Sequence, residues 1–121
     1  MQTPQNKESL QQALDQFTGT EKWYRHALVR ALLYTEGAQF FFEETESYWL
    51  LDIIATEYWP MLDGHAFLLI TVTSEAQQCH IIVEDGNGEQ LKSKHVPFTT
   101  LMAGTWKFYL LDNVLLLPSE Y

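Results

Sequence analysis

The chain has 121 residues, and its sixteen acids against seven bases give a formal charge of -9. That balance repels a phosphate backbone, because nucleic-acid affinity comes largely from Lys and Arg releasing counterions, so no direct nucleic-acid binding is expected. The apolar runs Ala66 to Ile70 and Val114 to Leu117 are far too short to span a bilayer, and the lone cysteine, Cys79, excludes an internal disulfide and a multi-cysteine metal centre.

A hydrophobic content of 46% with 14% aromatics is ample for a packed core. A chain of this length buries roughly two thirds of its unfolded surface without staples. The first residues, Met1 to Glu8, contain no apolar signal segment. These features lead us to expect one domain over residues 1–121, cytoplasmic, with no membrane association, no metal and no cofactor.

Residues 1–7 are polar, with Pro4, and are expected to form a disordered tail. Leu10, Ala13, Leu14 and Phe17 recur at i, i+3, i+4 and i+7, the stripe of a short amphipathic helix that Thr18-Gly19 stops. Thr18 and Glu21 have the spacing of a capping box, so a new helical turn is expected there. Residues 21–34 fit a helix face and short extended pieces equally well; mixed structure is the reading adopted. Thr35 is a good N-cap with Glu36 in the first turn behind it. The run Phe40-Phe41-Phe42 is too broad for one stripe, so that helix is expected to be covered on more than one side. Ser47 opens a second helix or a kink, and Pro60 and Gly64 end it.

The period then changes. Ala66 to Thr73 and Cys79 to Glu84 read as strands, joined to Gln90–Val96 by the turn Asp85-Gly86-Asn87-Gly88. Pro97 to Gly104 reads as a loop. Trp106–Leu111 and Val114–Leu117 form a last hairpin through Asp112-Asn113. Helices first and strands afterwards predict an α+β fold: N-terminal helices packed on one face of a C-terminal antiparallel sheet, a meander of about five strands.

With these segments placed, the chain resembles a small uncharacterised bacterial domain family that is also carried on mobile elements. The shared blocks are Phe17-Thr18-Gly19-Thr20-Glu21, Tyr24-Arg25-His26, Leu33-Tyr34-Thr35-Glu36-Gly37 and Tyr48-Trp49-Leu50-Leu51-Asp52-Ile53-Ile54. Glu84-Asp85-Gly86-Asn87-Gly88 and the ending Leu116-Leu117-Pro118-Ser119-Glu120-Tyr121 continue the set. One departure, Glu46-Ser47 before the Tyr-Trp pair, falls at the junction between two helices. The resemblance implies a compact domain and carries no biochemical activity with it.

Chemistry has few places to sit. Arg25 and His26 follow two aromatics, and a cation, an imidazole and the Tyr34 hydroxyl together can bind an anion or shuttle a proton. The more common use of such residues is an ion pair and a structural hydrogen bond. Asp52 lies within one helical turn of four aliphatic residues. Buried, it would need a partner such as Arg25 or His26, or a raised pKa; on an amphipathic helix it lies on the wet stripe instead. Tyr34, Thr35 and Glu36 open a helix whose free N–H groups can hold an anion, but Glu36 already places negative charge there. The candidate pocket is therefore Arg25, His26, Tyr34, Glu36 and Asp52.

The four histidines have no metal-ligand spacing. Cys79 and His80 are strand neighbours and point to opposite faces, which disfavours a nucleophilic pair. Trp59 and Tyr121 are the aromatics expected at the surface. An acidic rim with an aromatic centre suits a protein partner or a homodimer, and a non-enzymatic interaction or accessory module is the preferred expectation. A small enzyme or ligand-binding domain around the candidate pocket is the alternative. Ranked last is an acidic DNA mimic built on Glu43, Glu44, Glu46 and Glu57.

Overall fold

The computed structural model describes residues 7–19 and 21–121. Residues 1–6, which make up most of the stretch expected to be disordered, lie outside the described residues; helix α1, Lys7–Leu14, begins at the last residue of that stretch. The Leu10 and Leu14 side chains of its stripe are buried. The expected helical turn after Gly19 does not form: Glu21 is a bend, and the chain enters strand β1, Trp23–Arg25. Strand β2, Leu33–Thr35, returns antiparallel beside it. Residues 21–34 are thus a short ribbon.

Thr35 ends β2 and caps helix α2, Glu36–Glu44, whose Ala38 N–H it accepts at 3.2 Å. Helix α3, Tyr48–Ile53, widens into a π-helical turn over Ile54–Tyr58 and then tightens into a 3₁₀ turn over Trp59–Asp63. Pro60 explains the change. Its ring would strike the Thr56 carbonyl in a regular α-helix, and it has no N–H to give. In the wider turn the Trp59 N–H reaches back to the Ile54 carbonyl.

Five further strands follow: β3, Phe67–Glu75; β4, Gln78–Asp85; β5, Gln90–Val96; β6, Gly104–Leu111; and β7, Val114–Leu116. A last 3₁₀ turn spans Pro118–Glu120. All seven strands form one sheet in the order β1-β2-β7-β6-β3-β4-β5. The α+β class is as expected, but the five-stranded antiparallel meander is not. The ribbon of residues 23–35 adds two strands, and β2 joins β7 in parallel, which makes the sheet mixed. After β5 the chain crosses back through residues 97–103 to lay β6 beside β3. Among the described residues, no helix is long and apolar enough to cross a membrane.

Strand alternation sets the core. Leu68, Ile70, Val72, Ile81, Val83, Trp106, Phe108 and Leu110 face the helices and are buried. Phe41 and Phe42 of α2 enter them together, the first edge-on to Phe108 at 5.1 Å and the second stacked on it at 5.5 Å. Two adjacent helix residues can do this because α2 packs broadly, as its three-phenylalanine run predicts.

The hairpins differ in legibility. Asp85 closes the β4–β5 turn by accepting the Asn87 and Glu89 N–H groups through Oδ1, and these bonds hold its carboxyl below the ordinary value. Asp112 and Asn113 both take positive φ, as their residue types allow. The β3–β4 turn does the same with Ala76 at 53° and Gln77 at 62°. Left-handed backbone costs such residues about 1–2 kcal/mol each. Replacing Ala76-Gln77 by Asn-Gly should therefore raise unfolding stability by about 1–2 kcal/mol, read as a higher urea midpoint at unchanged slope. A lower midpoint would refute the strain argument.

Candidate functional site

The five candidate residues do not form one constellation. Arg25 pairs in register with Leu33, while Tyr34 pairs with Tyr24, so Arg25 and Tyr34 stand on opposite faces of the ribbon. The Arg25 guanidinium donates to the Arg30 carbonyl within its own loop. Tyr34 lies on the helix side, stacked on Tyr24 at 5.7 Å and edge-on to Phe42 at 6.5 Å. Burial, with Tyr24 and Glu43 nearby, pushes its hydroxyl above the ordinary value. It is a packing aromatic and a poor acid.

His26 and Asp52 do meet. The imidazole is 4% exposed, and its Nε2 lies 2.9 Å from Asp52 Oδ1, which belongs to a side chain 64% exposed. Asp52 therefore sits on the wet stripe of α3 and reaches back to the ring. The other nitrogen, Nδ1, accepts the Leu28 and Val29 N–H groups at 3.2 and 2.9 Å. With Nδ1 occupied as an acceptor, the proton belongs on Nε2, where it is donated to Asp52. The backbone adds a bond from the His26 N–H to the Leu32 carbonyl at 3.0 Å. His26 thus organises the β1–β2 loop and ties it to α3. No lone pair is left for a substrate.

Glu36 occupies the first turn of α2, but the carboxylate seated on that helix start is Glu120. Its Oε1 accepts the Thr35 hydroxyl at 2.6 Å and the Leu117 N–H at 3.0 Å; Oε2 accepts the Gly37 N–H at 3.2 Å. A carboxylate does occupy this helix start despite the Glu36 charge, and it is supplied from within the chain. Gly37 permits the approach. A Cβ there would lie 2.6 Å from Glu120 Oε1 and 2.7 Å from Leu117 Cδ1. Sequence reasoning named Thr35 and missed Gly37 and Glu120, although both lie in blocks it quoted; a glycine in a first helical turn was the available signal.

Among the described residues, no three His, Cys, Asp or Glu side chains come close enough to hold a metal ion. Burial raises the Cys79 thiol above its ordinary value, which suits an inert core residue. Two of the acids proposed for mimicry are engaged: Glu43 accepts the Tyr48 hydroxyl at 2.8 Å, and Glu57 pairs with Lys94 at 3.2 Å. Trp59, expected to be exposed, is half-buried and donates its indole N–H to Asn113 Oδ1 at 3.0 Å.

The sheet face opposite the helices presents a different surface. Phe67 and Tyr109 lie 5.0 Å apart, and Tyr121 packs edge-on to both. A hollow of about 330 Å³ continues from this cluster between Tyr121 and Trp23, floored by Leu111, Val114 and Leu116, with Asp112 at its rim. Tyr121 is 74% exposed and Trp23 52%. Contiguous exposed aromatics of this kind mark contact surfaces.

The sequence model of the "Family of unknown function (DUF6876)" matches residues 8–121, and the chain belongs to that family. No curated protein and no solved structure matched it.

Three substitutions test these contacts. Asp52→Asn keeps an acceptor for Nε2–H on an exposed side chain and should cost less than about 1 kcal/mol. His26→Ala strands two loop N–H groups and should cost about 2–4 kcal/mol; ¹⁵N chemical shifts of the wild-type ring should report the Nε2–H form. Gly37→Ala should lose about 1–3 kcal/mol despite its better helix propensity, because the new Cβ displaces the Glu120 carboxylate. Equal stability of Gly37→Ala and wild type in urea unfolding would show that the carboxylate can move without cost.

Proposed function

We propose that the protein is a non-enzymatic, cytoplasmic protein-binding module, an accessory factor of a bacterial mobile element or of its host. The observation that carries this reading is the uncovered sheet face, where Trp23 and Tyr121 flank an apolar hollow. An exposed tryptophan and tyrosine beside aliphatic side chains are the residue types that dominate contact energetics. The surrounding acid excess and Asp112 at the rim favour a basic partner. A second copy of the chain is the less favoured occupant, because two molecules of formal charge -9 repel. The enzyme reading draws less support, since His26 and Asp52 are committed to holding a loop and Arg25 stands apart from them.

The test is in-cell crosslinking followed by mass spectrometry on the wild type and on Trp23→Ala/Tyr121→Ser, with sedimentation of both proteins. We expect crosslinks from this face to a basic partner, a monomeric free protein, and at least tenfold loss of the crosslinks in the variant. Crosslinks unchanged in a folded variant would overturn the assignment of the surface. A dimer dissociated by the substitutions would make the second copy the occupant.

A further inference from the structure

We infer that the open edge of β6 is a docking site for an extended peptide segment of a partner protein, which adds to the sheet as a short strand. The site lies apart from the Trp23–Tyr121 surface and does not depend on it.

β6 pairs with β3 along its whole length, Gly104 to Leu111. On its other side it pairs with β7 only at Tyr109, Leu110 and Leu111. The strand beside it ends there for a physical reason. Continuing the register would set Pro118 opposite Lys107, and proline has no N–H to give. Leu117, just before it, gives its own N–H to Glu120 Oε1, and the chain turns away to reach α2. Among the described residues, the backbone of Thr105 to Phe108 has no strand beside it on that side.

Peptide groups in an antiparallel ladder alternate in direction. Leu111 and Val114 flank a two-residue turn, so Leu111 and Tyr109 aim their N–H and C=O groups at β7. By the same alternation Lys107 and Thr105 aim theirs at the open side. A hollow of about 390 Å³ runs along this edge, lined by Thr105 to Phe108 and walled by Leu14, Phe41, Leu117 and Ser119. Evenly spaced donors and acceptors at two-residue intervals are complementary to one thing, the backbone of another extended chain.

The chemistry of the occupant follows. About four residues in extended form would span Thr105 to Phe108. Alternate side chains of such a segment would meet Leu14, Phe41 and Leu117, so that position takes an aliphatic residue. Asp15 at the rim and the overall acid excess favour Lys or Arg flanking it.

Two measurements on the full chain test the site. First, amide exchange in the free protein should be fast at Thr105 and Lys107 and slow at Trp106 and Phe108, whose N–H groups face β3. Second, random hexapeptides displayed on phage are selected against the protein. We expect enriched peptides with an aliphatic residue between basic ones, whose synthetic forms slow exchange at Thr105 and Lys107. Their affinity should fall at least tenfold in Thr105→Pro, which removes an outward N–H near the start of the strand, and remain unchanged in Trp23→Ala/Tyr121→Ser. If Thr105→Pro fails to fold, backbone N-methylation of the peptide's central residue serves instead, with the same tenfold loss expected. Slow exchange at Thr105 and Lys107 in the free chain, no enrichment, or binding that leaves those two amides unprotected would each overturn the inference.

Discussion

The Glu120 carboxylate sits on the start of α2, and much of the architecture around it depends on that seat. Thr35 is the last residue of β2 and the N-cap of α2, so a group bound to its hydroxyl and to the Gly37 N–H holds a strand and a helix at once. Glu120 comes from the far end of the chain, four residues beyond the strand that β2 joins in parallel. A parallel pair needs a long connection, and here everything from Glu36 to Asn113 intervenes. The carboxylate fixes the ends of that connection next to each other. Helix-dipole attraction and three hydrogen bonds make it a strong clasp for its size.

The same turn has consequences on both sides of the sheet. Because Leu117 and Glu120 bond to each other through N–H and carboxylate, the chain cannot continue along β6, and an edge is left open. Because the turn ends beside the sheet, Tyr121 is delivered onto Phe67 and Tyr109. The open edge and the aromatic face are therefore two products of one C-terminal device. His26 works in a comparable way at the other margin, where one imidazole closes the β1–β2 loop with Nδ1 and fastens it to α3 through Asp52. His26, a candidate for chemistry, and Glu120, which was not one, both serve to hold backbone in place.

How much of this the sequence discloses depends on whether the cause is local. The α2 start was legible because Thr35 signals through its own side chain, and the Asp85–Gly88 and Asp112-Asn113 turns because their residues tolerate positive φ. The β3–β4 turn was not, since Ala76 and Gln77 adopt left-handed backbone only under the pull of an eight-residue ladder. The ribbon of residues 23–35 was ambiguous for a related reason. Three-residue strands have no periodicity to read, and they exist here because β7 offers β2 a partner and His26 closes the loop. The crossover that lays β6 beside β3 leaves no mark in residues 97–103 themselves. Of the candidate site, the His26–Asp52 contact joins residues 26 positions apart, and nothing in either segment distinguishes it from an Arg25–Asp52 pair.

The distribution of polar groups also separates the core from the surfaces that remain for partners. Within the core, the Tyr58 hydroxyl is a buried atom with no partner among the described residues, and burial with Glu57 and Cys79 nearby pushes it up to about 12. It lies at the end of the π-helical turn that Pro60 forces, so the widened backbone has carried the ring into the core without bringing an acceptor to it. That is a cost accepted for shape. Along β6, beside a hollow, Thr105 to Phe108 have no paired strand on the β7 side among the described residues. A side-chain orphan in a closed core asks for nothing from solution, whereas an orphaned strand edge beside a hollow asks for a strand. His26, Asp52 and Glu120, by contrast, have their bonds within the fold.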